Sequence, residues 1–221
     1  MKWPAAAGAF TLALSLAPAA LAQANDKNAW DGDYRKSSVD RRRADLTLGL
    51  SVGLHLGDAH GFPNEADKID NPLYETETGN ALGPGGAAWL GVAMSDWLTL
   101  GLGGASIQLA SGDIKASATS FLCRVETYPL YGVGGLWRDV GVAGNFGLGL
   151  LTLEDGGEEK ADGGATSMVA GSLFYEAFRS AGLALGPMAE VTHMWSFSAN
   201  LTSAWFGARL AFYSAGGRGE E

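Results

Sequence analysis

Residues 45–57 read D-L-T-L-G-L-S-V-G-L-H-L-G and alternate without a break. Leu46, Leu48, Leu50, Val52, Leu54 and Leu56 share one face of an extended chain. Asp45, Thr47, Gly49, Ser51, Gly53 and His55 share the other. Side chains of a strand point to opposite faces with period two, whereas a helix would scatter these leucines around its whole circumference. The segment is therefore a strand with one apolar side and one small or polar side. Similar segments follow down the chain, and together they point to a transmembrane β-barrel.

The start of the chain fits that destination. Lys2, an apolar stretch over residues 5–16 and the small-x-small run Ala20-Leu21-Ala22 form the three regions of a signal peptide, 1–22, with Gln23 as the first mature residue. The residue after the cut is not Cys, which argues against a lipid anchor. No later stretch is long and apolar enough for a helical span. Only 18% of residues are charged, and the chain is rich in Gly (33 residues). Cys123 is the only cysteine, so no intramolecular disulfide supports the fold. A net charge of −9 excludes nucleic acid as a partner, because binding phosphates needs clustered Lys and Arg.

Residues 23–44 read as a flexible polar segment ending in Asp40-Arg41-Arg42-Arg43, with the arginine run taken as solvated. An all-β barrel domain is expected over 45–213, followed by a polar tail, 214–221. After the first strand, period-two alternation places strands near 87–95, 97–109, 117–128, 139–153, 165–178, 182–195 and 200–213, eight in all. An even number returns both termini to one side. Pro187 predicts a bulge or break in the seventh strand. The connections 58–86 and 154–164 read as long acidic outer loops. Residues 95–97 and 179–181 read as short periplasmic turns, and 129–138 as a longer one. Trp97, Tyr128, Tyr131, Trp137, Tyr175, Phe178 and Tyr213 fall at the periplasmic end, and Trp89, Trp195 and Phe197 at the outer end, as two aromatic girdles.

The signal peptide, the hairpin rhythm, the segment S-D-W-L-T-L-G-L-G (95–103) and the final strand A-W-F-G-A-R-L-A-F (204–212) resemble the small eight-stranded outer-membrane barrels of Gram-negative bacteria. The resemblance is one of architecture over residues 45–213 and carries no family motif. It implies an outer-membrane location, outer-membrane lipids as partners and a terminal aromatic insertion signal, matched in type by Phe212 or Tyr213. The residues after Tyr213 depart from that pattern.

Arg124, Glu126, Glu176, Glu190 and Arg209 sit inside strands in the phase opposite the apolar face. In a barrel of this size the interior holds little beyond side chains, so these residues form a candidate lumen charge network. His55, His60 and His193 lack any metal-ligand spacing, and the acidic loops lack a calcium-loop pattern, so no metal and no cofactor is expected. Lipid-modifying hydrolases of this size place His and Ser two apart on a late strand. Here His193 is followed by Ser196 and Ser198, three and five residues on, so no catalytic residue is assigned. The expected function is a non-enzymatic, monomeric barrel with a structural or surface-interaction role, its acidic outer loops contacting a surface ligand or protein. Two alternatives remain at this point. One is a narrow pore or transporter of small or hydrophobic molecules; the other is a soluble exported barrel of lipocalin type, with inside and outside exchanged.

Overall fold

The structure is a computed structural model that describes Arg43 and residues 45–214. The expected signal peptide, the rest of segment 23–44 and tail residues 215–221 lie outside the described residues. Eight long antiparallel strands make up the wall: β1 (Asp45–Gly61), β2 (Ala81–Ser95), β3 (Leu98–Ser111), β4 (Ile114–Thr127), β5 (Val140–Asp155), β6 (Glu158–Tyr175), β7 (Leu183–Trp195) and β8 (Ala199–Tyr213). Each pairs with its sequence neighbours, and β8 pairs with β1 from Tyr213↔Thr47 to Ala199↔Gly61, which closes the sheet. Two short pieces, Thr76–Glu77 and Phe178–Ser180, extend the pairing at opposite ends. Closure pairs the strands all round the wall, and edges stay open only beyond it, as at β6 residues 158–166 on the side of β7. Ser214 staples the seam, its amide donating to the Leu46 carbonyl at 2.9 Å and its Oγ accepting from the Leu46 amide at 3.1 Å.

Leu46, Leu48, Leu50, Val52, Leu54 and Leu56 point outward and each expose 47–59% of their surface. Leu90, Val92, Phe121, Phe146, Leu148, Leu173, Phe206 and Phe212 continue this belt around the wall. An apolar band that encircles a molecule exceeds what water tolerates and matches a bilayer. The lipocalin arrangement is thereby overturned, because it needs these side chains inside. Leu50→Arg, near mid-belt, should cost about 2–4 kcal/mol, whereas inward-facing Thr47→Ser should cost little. Unfolding in detergent micelles checks both, and equal tolerance would contradict the assignment.

Three local expectations change. The first loop-end connection is residues 62–80 rather than 58–86, because β1 and β2 extend further than their apolar phase. The expected acidic loop over 154–164 is mostly strand: β5 and β6 turn over Gly156 and Gly157, both at positive φ (61° and 86°). Asp-Gly-Gly-Glu is a two-residue hairpin turn, and the acids flanking it are strand residues. Pro187 does not break β7, which stays paired to β8 through Pro187↔Ala208. The irregularity falls on β6 instead. Between Phe174↔Met188 and Phe178↔Leu185, residues 175–177 face only Gly186 and Pro187. Glu176 keeps the inward phase of Ser172 and Phe174, and the extra residue shifts the phase after it, so that Phe178 faces out. Gly186 is required beside it, because a Cβ there would overlap the Tyr175 carbonyl oxygen.

A charge network filling the lumen

Glu176 sits just past the end of β6, where the inward phase of Ser172 and Phe174 carries its carboxylate into the terminal end of the lumen. Oε1 accepts from Tyr213 Oη (2.6 Å), Tyr128 Oη (2.8 Å) and Arg209 Nη1 (2.8 Å). Oε2 accepts from Arg43 Nη2 (2.6 Å) and Nε (3.2 Å), and from Arg179. From this hub the network climbs. Arg209 Nη2 donates to Glu126 Oε2 (2.8 Å), and Arg124 Nε donates to Glu126 Oε1 (2.6 Å). Arg124 Nη1 donates to Asn145 Oδ1 (3.0 Å), and Asn145 Nδ2 donates to Glu190 Oε2 (3.0 Å). Glu190 Oε1 also accepts from Trp205 Nε1 at 3.1 Å and from Thr192 Oγ1 at 3.2 Å. All five charged residues picked out from the strand phase lie in this chain of contacts.

Arg43, Arg124, Arg179 and Arg209 face Glu126, Asp139, Glu176 and Glu190, so four guanidiniums meet four carboxylates. Balance of this kind is what lets buried charges persist, since each alone would face a desolvation cost of several kcal/mol. Aromatic rings line the same space. Arg43 stacks 3.4 Å from the Tyr128 ring centroid, Arg124 4.2 Å from Trp89 and Arg209 4.2 Å from Phe174. The inward glycines seat these rings: a Cβ on Gly49 would overlap the Trp89 indole, and one on Gly207 the Trp205 indole.

Several placements correct the sequence expectations. Trp89, Tyr128 and Tyr213 are buried in the lumen and not in the girdles. Trp89 stands in the phase opposite Ala88 and Leu90, a signal that overrides the general preference of rings for a membrane interface. Arg43 itself is not solvated; its side chain is fully buried, while Asp40, Arg41 and Arg42 lie outside the described residues. Trp137 and Phe178 are exposed at the terminal end, and Trp195 and Phe197 at the loop end. Sequence reasoning also missed Arg179, Asp139, Asn145 and Trp205. Asn145, Trp205 and Asp139, the first residue of the expected strand 139–153, carry the inward phase; Arg179 lies in an expected turn, where periodicity gives no signal.

Above the charges the lumen is apolar. Ile107, Leu109, Leu151, Leu153, Met168, Met194 and Leu201 pack together there. Between the two layers lies a cavity of ≈ 10 Å³ bordered by His55, Glu190, Thr192, Trp205 and Met168. That is about the space of one water molecule. The histidines fall on different faces of the wall. His55 lies inside, Nδ1 within 3.1 Å of Ser203 Oγ, while His193 lies on the outer wall, Nδ1 2.9 Å from Thr202 Oγ1 and its ring stacked on Trp195. His60 Nε2 is 3.4 Å from Asn200 Nδ2. Ser196 Oγ accepts from the Ala199 amide, and Ser198 Oγ donates to the Asp162 carbonyl, so neither pairs with His193.

No family model matches the chain, and no curated protein does. Among solved structures it is similar to Ail, the attachment invasion locus protein of Yersinia pestis, at 12% identity and a TM-score of 0.49, covering 76% of this chain and 99% of that one. It is similar to Neisserial surface protein A at 11% identity and TM-score 0.45, covering 75% and 96%. For OprG from Pseudomonas aeruginosa the values are 11%, 0.40, 78% and 98%. By its own wall, belt and filled lumen, the chain has the architecture of the small eight-stranded outer-membrane β-barrels.

Proposed function

We propose that this protein is a non-enzymatic, non-conducting barrel of the outer membrane that presents an acidic surface to the exterior. The observation that carries the reading is the doubly filled lumen. A charge layer and an apolar layer lie in series, separated by a cavity of ≈ 10 Å³. A solute path would have to unmake both, and open channels belong to wider barrels. This weighs against a pore or transporter.

The loop end supplies the interaction surface. Asp58, Glu65, Asp67, Asp70, Glu75 and Glu77 lie on or beside the first connection. Asp113, Glu154, Asp155, Glu158, Glu159 and Asp162 surround two neighbouring turns, against Lys68, Lys115 and Lys160. Leu73 and Phe197 stand in this region at 88% and 97% exposure. Apolar residues within an acidic surround suit a cationic partner with an apolar contact face. The connection 62–80 is far longer than a hairpin needs, and its hydrogen bonds include a local cap, Leu73 amide to Asn71 Oδ1, and the Lys68–Glu65 pair.

Orientation and display are tested together by epitope insertion. A tag after Asp67 should be labelled by antibody on intact cells, and a tag between Gly134 and Gly135 only after the outer membrane is permeabilised. The reverse pattern would overturn the reading. Replacing residues 65–75 by a short Gly-Ser linker should leave the barrel folded, because Thr76, Glu77 and Thr78, which bond β1, are retained. Heat-modified migration on gels checks this. Loss of the folded band would mean that the loop supports the wall.

A further inference from the structure

Arg43 precedes β1, yet its side chain reaches all three chain connections at the terminal end. Its backbone amide donates to Asp96 Oδ1 (2.8 Å), and Nη1 donates to the Asp96 carbonyl (3.0 Å), on the β2–β3 turn. Nη2 donates to Asp139 Oδ1 (3.0 Å) on the β4–β5 connection, and Nη2 and Nε donate to Glu176 on the β6–β7 connection. The guanidinium Cζ lies over the Tyr128 ring, 3.4 Å from the centroid. Every nitrogen of the group is bonded, one face is stacked, and two carboxylates, shared with Arg179 and Arg209, face its charge. This is a complete recognition site for a guanidinium ion.

Its walls come from elements far apart in sequence, and they are held together without Arg43. Tyr131 Oη donates to Asp96 Oδ2 at 3.0 Å, tying the β4–β5 connection to the β2–β3 turn. Burial and the Asp96 carboxylate raise the Tyr131 phenol above its ordinary pKa, so it remains a donor at neutral pH. The Glu176 amide donates to the Asp139 carbonyl at 3.0 Å, joining the third connection to the second.

We infer that the terminal end of the barrel carries a built guanidinium-binding site, formed by Asp96, Tyr128, Asp139 and Glu176 and filled in cis by Arg43, whose side chain floors the lumen. The site is complete only when all three connections have met. A lysine cannot substitute, because an ammonium reaches the carboxylates as a point charge and cannot span three acceptors in one plane.

Chemical rescue tests this directly. In detergent micelles Arg43→Gly should lower the unfolding temperature by roughly 5–10 °C, given what a broken buried pair costs. Guanidinium chloride at tens of millimolar, far below denaturing concentration, should restore a substantial part of that shift, and equal sodium chloride or tetramethylammonium chloride should not. In the variant Arg43→Gly/Glu176→Gln the rescue should vanish. If Arg43→Gly does not fold, its refolding yield with guanidinium against sodium chloride gives the same comparison. No loss in Arg43→Gly, or equal restoration by all three salts, would overturn the site.

Discussion

Glu176→Ala is expected to be the most damaging single substitution in this chain, lowering stability by at least about 3–5 kcal/mol. The reason lies in how many groups depend on one carboxylate. Arg43, Arg179, Arg209, Tyr128 and Tyr213 all donate to it. Its removal leaves Arg43 with Asp139, and Arg209 with Glu126, but takes the shared charge from the centre of the cluster. Glu176→Gln keeps the shape and loses the charge, so it should recover only a small part. The exposed Lys160–Glu158 pair is the control: both partners are open to solvent, and Glu158→Ala should leave stability unchanged. Urea unfolding in micelles, followed by tryptophan fluorescence, measures all three. A Glu176→Ala variant as stable as the parent would mean that the cluster is solvated and contributes nothing.

Arg124→Leu should come next, at about 3–5 kcal/mol, because it strips Glu126 of its 2.6 Å partner inside the wall. Adding Glu126→Leu should return part of the loss, since the pair then leaves as a unit and an apolar core can accept leucine. Recovery should stay incomplete, because Arg209 Nη2 also donates to Glu126 and would lose that contact. The double-mutant cycle should therefore show coupling of about 1 kcal/mol or more. A cycle with no coupling would mean that each group meets water independently.

Much of the wall was legible in the sequence because a strand in a closed barrel obeys one rule, period two. The leucines of β1 follow it without exception, and the same count places Arg124, Glu126, Glu190 and Arg209 in the phase that the structure turns inward. The rule fails where other physics takes over. Glu176 still follows the count, but the bulge opposite Gly186 and Pro187 shifts the phase just after it, so that Phe178 faces out and Arg179 joins the cluster. The acids near Gly156 and Gly157 suggested a solvated loop, whereas the two glycines specify a tight turn. Of the apolar upper lumen, Ala161 lies where a loop is expected, while Leu151 and Leu153 fall inside the expected strand 139–153, in its inward phase. Arg43 stands outside any periodic segment, in a charged run, and only the assembled turns disclose its burial.

The account rests on a lumen that is filled from end to end, and planar-bilayer recording of the purified, refolded protein tests that most directly. The expected result is a flat baseline at moderate voltage. Disrupting only the charge layer, with Glu126→Ala, should still give no steps, because Leu109, Leu151 and Leu153 remain above it. Steady channel openings of uniform size in the unmodified protein would contradict the account and favour transport.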